Sequence, residues 1–462
     1  MSFYNAVRRF LSEPGPMMTA DPTSAEYAKT EYDLRADAET ILRAAIDAVD
    51  PERLVIHAMK SHKKSIPTGG KVWVAGFGKA VIPMARGLHR SLGDRIEGGV
   101  LIAPPGTQAY IAPQYEIFRG GHPVPDQGGV AGACAIRQMA REAGDDDLMI
   151  CLVSGGGSAL MTLPPEDLPL EDIQAVTELM MSAGVEITEI NCVRKHLDAL
   201  KGGQLARETA PARVLSLVLS DVVDDPVDVV ASGPVSPDPT SFADAVAVLK
   251  RYGLWKKVPL AARGYLDRGL CGEIDDTPVK NDPMFLRTTC VVVGDGDTAA
   301  RAACAEAERL GFESQLLTST LSGEASEAGD FLAETARVLR ASQSPDRPPT
   351  CIVTTGETTV RRRGDGHGGR NQELALGAAL KIDRMDGVLI ASMGTDGFDG
   401  PTDAAGATVT GSTVRRAVEA GVDCEAALAS NDAYSVFHAL DDLIVSGPTE
   451  TNVADIQIIL LS

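Results

Sequence analysis

Six short apolar runs, at 72–75, 148–153, 214–219, 290–293, 351–353 and 388–391, each stop at a turn rich in glycine and small polar residues. Unbroken runs of this length read as strands covered on both faces. Between them, apolar residues return at helical spacing with charges on the opposite side, predicting helices at 79–92, 128–143, 171–183 and 188–209. A long helix is predicted to start near Asp33 and to run through Ile41, Leu42, Ala45 and Ile46. After an irregular stretch around 271–283 the alternation resumes. Strands are expected near 288–293, 314–318, 351–355, 387–392 and 456–461, with helices at 298–310, 324–341, 372–381 and 412–420. The chain therefore reads as α/β in two domains. A loosely ordered arm covers 1–25, a first domain 26–280, and a smaller α/β domain 285–462.

Ligands of such sheets sit beyond the carboxyl ends of the strands, where bare backbone N–H groups can meet an anion. Six strand exits in glycine, serine or aspartate in one chain point to loops converging on an anionic ligand. Composition narrows the class. With 43 basic against 64 acidic residues the net charge is −21, which argues against a nucleic-acid partner. A local cluster of Lys and Arg can still hold a small anion. The eight cysteines are scattered without a Cys-x-x-Cys pair, as expected for buried thiols in a reducing cytoplasm, and the seven histidines lack zinc-ligand spacing. No apolar run approaches the roughly 20 residues of a membrane span, and the first residues lack a signal-peptide core.

Several constellations carry candidate chemistry. Ser154-Gly155-Gly156-Gly157-Ser158 offers successive amides and two hydroxyls to a phosphate or carboxylate, although a plain strand-to-helix turn would need only one glycine. Gly76-Phe77-Gly78-Lys79 sets a cation where a helix begins, unfavourable with the helix dipole unless an anion is present. Asp221, Asp224, Asp225 and Asp228 follow the 214–219 strand and suit Mg²⁺, a helix cap or a solvated acidic turn alike. Asn191, Arg194 and Lys195 share one helix side, either solvated or facing an anion. Arg370 closes a loop dense in glycine and charge and can bond phosphate or carboxylate in bidentate fashion. The aspartates of Gly394-Thr395-Asp396-Gly397-Phe398-Asp399-Gly400-Pro401-Thr402-Asp403, Asp396 first among them, can bind metal, accept a proton or simply turn the chain. Gly294-x-Gly296-x-x-Ala299, with Glu313 further on, fits a dinucleotide fingerprint, but Asp295 and Asp297 put negative charge where a pyrophosphate would lie.

These motifs, taken in order with 121–126 (Gly-His-Pro-Val-Pro-Asp), 231–234 (Ala-Ser-Gly-Pro), 368–373 (Gly-Gly-Arg-Asn-Gln-Glu), 400–403 (Gly-Pro-Thr-Asp) and 446–453, resemble the glycerate 2-kinase family, whose C-terminal half is the MOFRL domain. The tail departs from the family pattern at Glu450, where glycine is more usual. The resemblance implies a Rossmann-like N-terminal domain, an active cleft between the domains, and ATP- and Mg²⁺-dependent phosphorylation of D-glycerate to 2-phosphoglycerate. It implies catalytic roles for Lys79 and Arg370. On that basis Asp221 is a further catalytic candidate, 154–158 the nucleotide-phosphate loop, Asn191, Arg194 and Lys195 the substrate face, and Asp224 and Asp396 the metal ligands. Expected partners are glycerate and ATP, with a homodimer possible and neither nucleic acid nor membrane involved. The alternative is an NAD(P)H-dependent hydroxypyruvate reductase, for which His122, His196 and His367 are the histidines in suggestive loops.

Overall fold

The computed structural model describes residues 29–107, 109–222, 230–342 and 347–462. The arm at 1–25 and Asp224, Asp225 and Asp228 lie outside the described residues. The chain divides into two compact units, Asp50–Asp295 and Gly296–Ser462, the latter joined by the segment up to Val49.

The first unit is built on a parallel six-stranded sheet: β1 (Val72–Phe77), β2 (Ile96–Ala103), β3 (Tyr115–Arg119), β4 (Leu148–Val153), β5 (Arg213–Leu219) and β6 (Thr288–Gly294). The spatial order is β3-β2-β1-β4-β5-β6, which is the doubly wound order of dinucleotide-binding sheets. The order reverses between β1 and β4, paired in parallel from Val72↔Leu148 to Phe77↔Val153. Every residue of β4 is buried, as expected for a strand covered by helices on both faces. Beside the sheet, helices Leu170–Ser182, Ile187–Lys195, Phe242–Arg251 and Leu260–Leu270 share an apolar cluster around Val176, Met180, Val193 and Leu249.

The second unit carries a mixed six-stranded sheet of β7 (Glu313–Glu324), β8 (Thr350–Thr359), β9 (Val388–Gly394), β10 (Gly406–Thr410), β11 (Leu443–Ile444) and β12 (Asp455–Leu461), in the order β11-β10-β9-β12-β8-β7. The last strand lies between β8 and β9, antiparallel to both. Helix Glu31–Ala48 belongs to this unit. Thr30 and Asp33 form its capping box, its buried stripe is Leu34, Ala38, Ile41, Leu42 and Ala45, and it packs on helix Gly296–Arg309. Asp50 caps the next helix, whose first residue is Pro51, so a helix break stands at the division.

Three details depart from the sequence reading. The 288–293 strand, placed there in the second domain, is the edge strand of the first sheet, paired to β5 from Val214↔Thr288. The irregular 271–283 stretch is anchored inside the first unit rather than linking two domains: Asp276 bonds His196 at 2.9 Å, and Asp238 N donates to the Pro278 carbonyl. The single helix at 188–209 is two, Ile187–Lys195 and Gln204–Thr209. Asp198 accepts from the amides of Leu200 and Lys201, and Gly202 and Gly203 are left-handed, so the chain turns between them. Among the described residues no helix is long and apolar enough to cross a membrane.

Candidate active site

Lys79 and the 154–158 loop leave the ends of β1 and β4, on either side of the strand-order reversal, where ligands of such sheets bind. The two loops are tied together. The Lys79 amide donates to the Gly155 carbonyl at 2.9 Å, and the Ala80 amide to Ser154 Oγ at 3.0 Å. Ser154 is fully buried, so its hydroxyl orients the Lys79 turn. This close approach requires Gly78: a Cβ there would fall 2.1 Å from Ser154 Oγ, and φ is +128°. Among the described residues the amides of Gly155 and Gly156 have no hydrogen-bond partner. Bare donors of that kind, beside a lysine, suit an anion.

Ser158 connects the loop to the helix bearing Asn191. Its Oγ lies 2.8 Å from Ser232 Oγ, and Ser232 Oγ donates to Asn191 Oδ1 at 3.1 Å. Ala231, Ser232 and Gly233 all have positive φ. For the two non-glycine residues that conformation costs about 1–3 kcal/mol each and persists only where surroundings hold it, as ligand sites do. In the sequence, Ser232-Gly233-Pro234 reads as a tight turn and 231–234 as a family motif, neither of which gives these residues a role. The link from Ser232 to Asn191 spans 41 residues and leaves no local signal.

The three members of the Asn191 face part company. Lys195 is buried and paired with buried Asp238 at 3.3 Å, which directs it inward. The half-buried Arg194 guanidinium has neither hydrogen bond nor ion pair among the described residues, and burial pushes its pKa down. A cation partly withdrawn from water, with no carboxylate partner among the described residues, suits an incoming anion. Asp221 is half-buried just past β5, next to Ser220, whose amide donates to the Gly294 carbonyl.

In the second unit Arg370 opens helix Arg370–Lys381. Its Nε and Nη2 donate to the two oxygens of Asp455 at 2.6 and 2.8 Å, while Nη1 meets Glu357 at 2.7 Å. Asp455 is fully buried, and its register partners on both sides, in β8 and β9, are glycines, Gly356 and Gly394. Burial raises the Asp455 carboxyl to about 6 despite the Arg370 bonds. Burial opposes the Arg370 charge, but Asp455 and then Glu357 hold its pKa above the usual arginine value. Asp399 caps the same helix, accepting from the amides of Asn371 and Gln372, and Gln372 Nε2 donates to Thr402. The Gly-Gly-Arg-Asn and Gly-Pro-Thr-Asp segments are thus one interlocked structure. Asp396 is half-buried in its own turn and accepts from the Phe398 amide; a Cβ on Gly394 would meet carboxylate oxygens of both Asp396 and Asp455. The sequence reading gives no role to Asp455 or Glu357, whereas Asp399 belongs to the 394–403 cluster whose aspartates it offers to a metal or a proton.

Two family models match the chain: a domain of unknown function (DUF4147) over residues 37–267 and the MOFRL family over 350–455. A glycerate 2-kinase from Pyrococcus horikoshii is 38% identical over 438 residues, covering 93% of this chain and 98% of that protein. The chain belongs to the glycerate kinase family. Another member, the D-glycerate 2-kinase of Thermotoga maritima, is 36% identical over 91% of this chain and 97% of its own length. A crystal structure of glycerate kinase from the same organism matches with a TM-score of 0.84, covering 93% of this chain and all of that one.

Within the glycerate kinase pattern Glu450 is the departure, and its φ of +60° is a left-handed conformation that favours glycine. The dinucleotide fingerprint at Gly294–Ala299 lacks its required setting. It needs strand, helix and strand in one sheet, but β6 belongs to the first sheet and β7 to the second. Of the reductase histidines, His122 is exposed beside the 154–158 loop, and the other two are held elsewhere. His196 is buried, with its ring nitrogens on the Cys192 carbonyl and Asp276, and His367 packs edge-on against Tyr434.

Proposed function

We propose that this chain transfers the γ-phosphoryl group of ATP to the 2-hydroxyl of D-glycerate, releasing ADP and 2-phosphoglycerate. The observation that carries this reading is the placement of Lys79 and the bare Gly155 and Gly156 amides at the β1/β4 reversal of a doubly wound sheet. Family membership supplies the substrate.

Phosphoryl transfer asks the protein mainly for positioning and charge neutralisation. The 154–158 loop holds nucleotide phosphates through its amides. Lys79 neutralises charge on the transferring group, and in its own unit Arg370, oriented by Asp455, is assigned a catalytic role. Arg194 receives the glycerate carboxylate beside Asn191, while Lys195 supports that face through Asp238. The 2-hydroxyl oxygen bonds to the γ-phosphorus as the bond to the bridging oxygen breaks, and Asp221 takes the hydroxyl proton. No group of three or more His, Cys, Asp or Glu side chains gathers as a metal cage among the described residues. One or two carboxylates suffice to hold Mg²⁺ carried with the nucleotide, and Asp224 and Asp396 are assigned to it. Bound there, Mg²⁺ would offset phosphate charge. A reducing cytoplasm goes with this reading, since all eight cysteines are free.

The test is direct. Purified protein with D-glycerate, ATP and Mg²⁺ should yield 2-phosphoglycerate by ³¹P NMR, with no NADH or NADPH oxidation on hydroxypyruvate. Phosphate on the 3-hydroxyl, or reductase turnover without kinase turnover, would overturn it.

A further inference from the structure

Beyond β3 the chain runs through 120–126 and lies against the segment that follows the 154–158 loop. A Cβ on Gly120 would come within 2.9 Å of the Leu160 carbonyl oxygen, and one on Gly129 within 2.5 Å. This crossing is held at several points. Gly120 N donates to the Ala103 carbonyl, Asp126 caps helix Gln127–Glu142, and Gln174 Nε2 donates to the Pro125 carbonyl at 2.6 Å. A residue from the sheet edge is thereby carried to the β1/β4 reversal.

That residue is His122. A Cβ on Gly156 would stand 3.0 Å from His122 Cδ2, 3.1 Å from its Nε2 and 3.4 Å from Lys79 Cγ. The imidazole and the lysine stem therefore border one spot, directly over the glycine whose amide has no partner among the described residues. His122 is exposed, within reach of a ligand entering from solvent. Several groups at this spot can donate: the Gly155 and Gly156 amides, the Lys79 ammonium and, in either its Nε2–H or its cationic form, the His122 imidazole.

We propose that His122 is a further residue of the phosphate site, donating from Nε2 to a phosphate oxygen of the bound nucleotide beside Lys79. This rests on reading 154–158 as the nucleotide-phosphate loop. Neither the family resemblance nor the sequence motifs give His122 a part in phosphoryl transfer, and the reductase alternative would use it for a different reaction.

Two variants test it in the full chain. His122→Phe keeps the ring and loses the donor, whereas His122→Gln places an amide near the Nε2 position. A hydrogen bond to a charged phosphate predicts that His122→Phe loses about 10- to 100-fold in kcat/KM for ATP. ADP binding by calorimetry should weaken in parallel, while KM for glycerate stays within about twofold. His122→Gln should recover most of the loss, which a merely structural role would not predict. The proposal is overturned if folded His122→Phe matches wild type toward ATP, if the loss falls on glycerate KM alone, or if His122→Gln is no better than His122→Phe. Wild type assayed alongside separates the two levels. Its failure to turn over ATP with glycerate would sink the kinase reading, whereas normal wild-type turnover with an unaffected His122→Phe sinks only this inference.

Discussion

Single side chains carry the sharpest tests. Lys79→Ala should lower kcat by about 10²–10³-fold, the range expected for removing a preorganised charge from a transferring group, with an unchanged melting temperature. Near-normal turnover in the folded variant removes Lys79 from the mechanism. Arg370 depends on an ionised Asp455, whose pKa lies near 6. As pH falls through 6 that carboxylate takes up a proton, the bidentate clamp weakens and kcat should decline. Asp455→Asn should abolish that acid limb and lower kcat about tenfold or more at neutral pH; an unaltered pH profile would separate Asp455 from Arg370's task. At Glu450, φ is +60°, so Glu450→Gly should raise the unfolding free energy by up to about 1 kcal/mol in denaturant melts. The legibility of these residues follows sequence separation. Lys79 stands out because a strand, a glycine turn and a helix start lie within ten residues. Asp455 is 85 residues from Arg370 and reads only as the first residue of an apolar run.

At the scale of elements, periodicity reveals the apolar strands well. It overlooks β2, interrupted by Gly98-Gly99, and β3, where Glu116 and Arg119 dilute the pattern. It runs two helices together across 196–203, because the buried charges that turn the chain there look like one more polar helix face. Lys201 is fully buried against Asp198 at 2.6 Å, and His196 against Asp276. Burial opposes the His196 charge, yet the bonds to Asp276 and Cys192 raise its pKa from 6.5 to about 10. The sign follows. The folded state keeps a proton that the unfolded state loses, so the stabilisation is complete below 6.5 and vanishes as pH rises through 10. Asp276 is partly exposed, so screening trims the effect to about 1–3 kcal/mol across that window. Equilibrium denaturation at several pH values should show this decline in wild type and a flatter curve in His196→Gln.

For the molecule as a whole, the sequence pattern shows an α/β chain in two parts but not which segments belong to each. β6 joins the first sheet, and helix Glu31–Ala48 joins the unit that ends the chain. Neither fact is local: the first is a pairing choice, the second a packing choice. Cutting the chain before Asp455 should leave the second unit protease-sensitive in limited digestion, because β8 and β9 would lose the strand that pairs both. Retention of a resistant Gly296–Val453 fragment would contradict this. The same strand placement reaches back to biosynthesis. Among the described residues, the strand at the heart of the second sheet comes after the other eleven in the chain. Until Asp455–Leu461 is made, β8 and β9 lack the strand that pairs with both. Chaperone dependence during translation should concentrate in that interval.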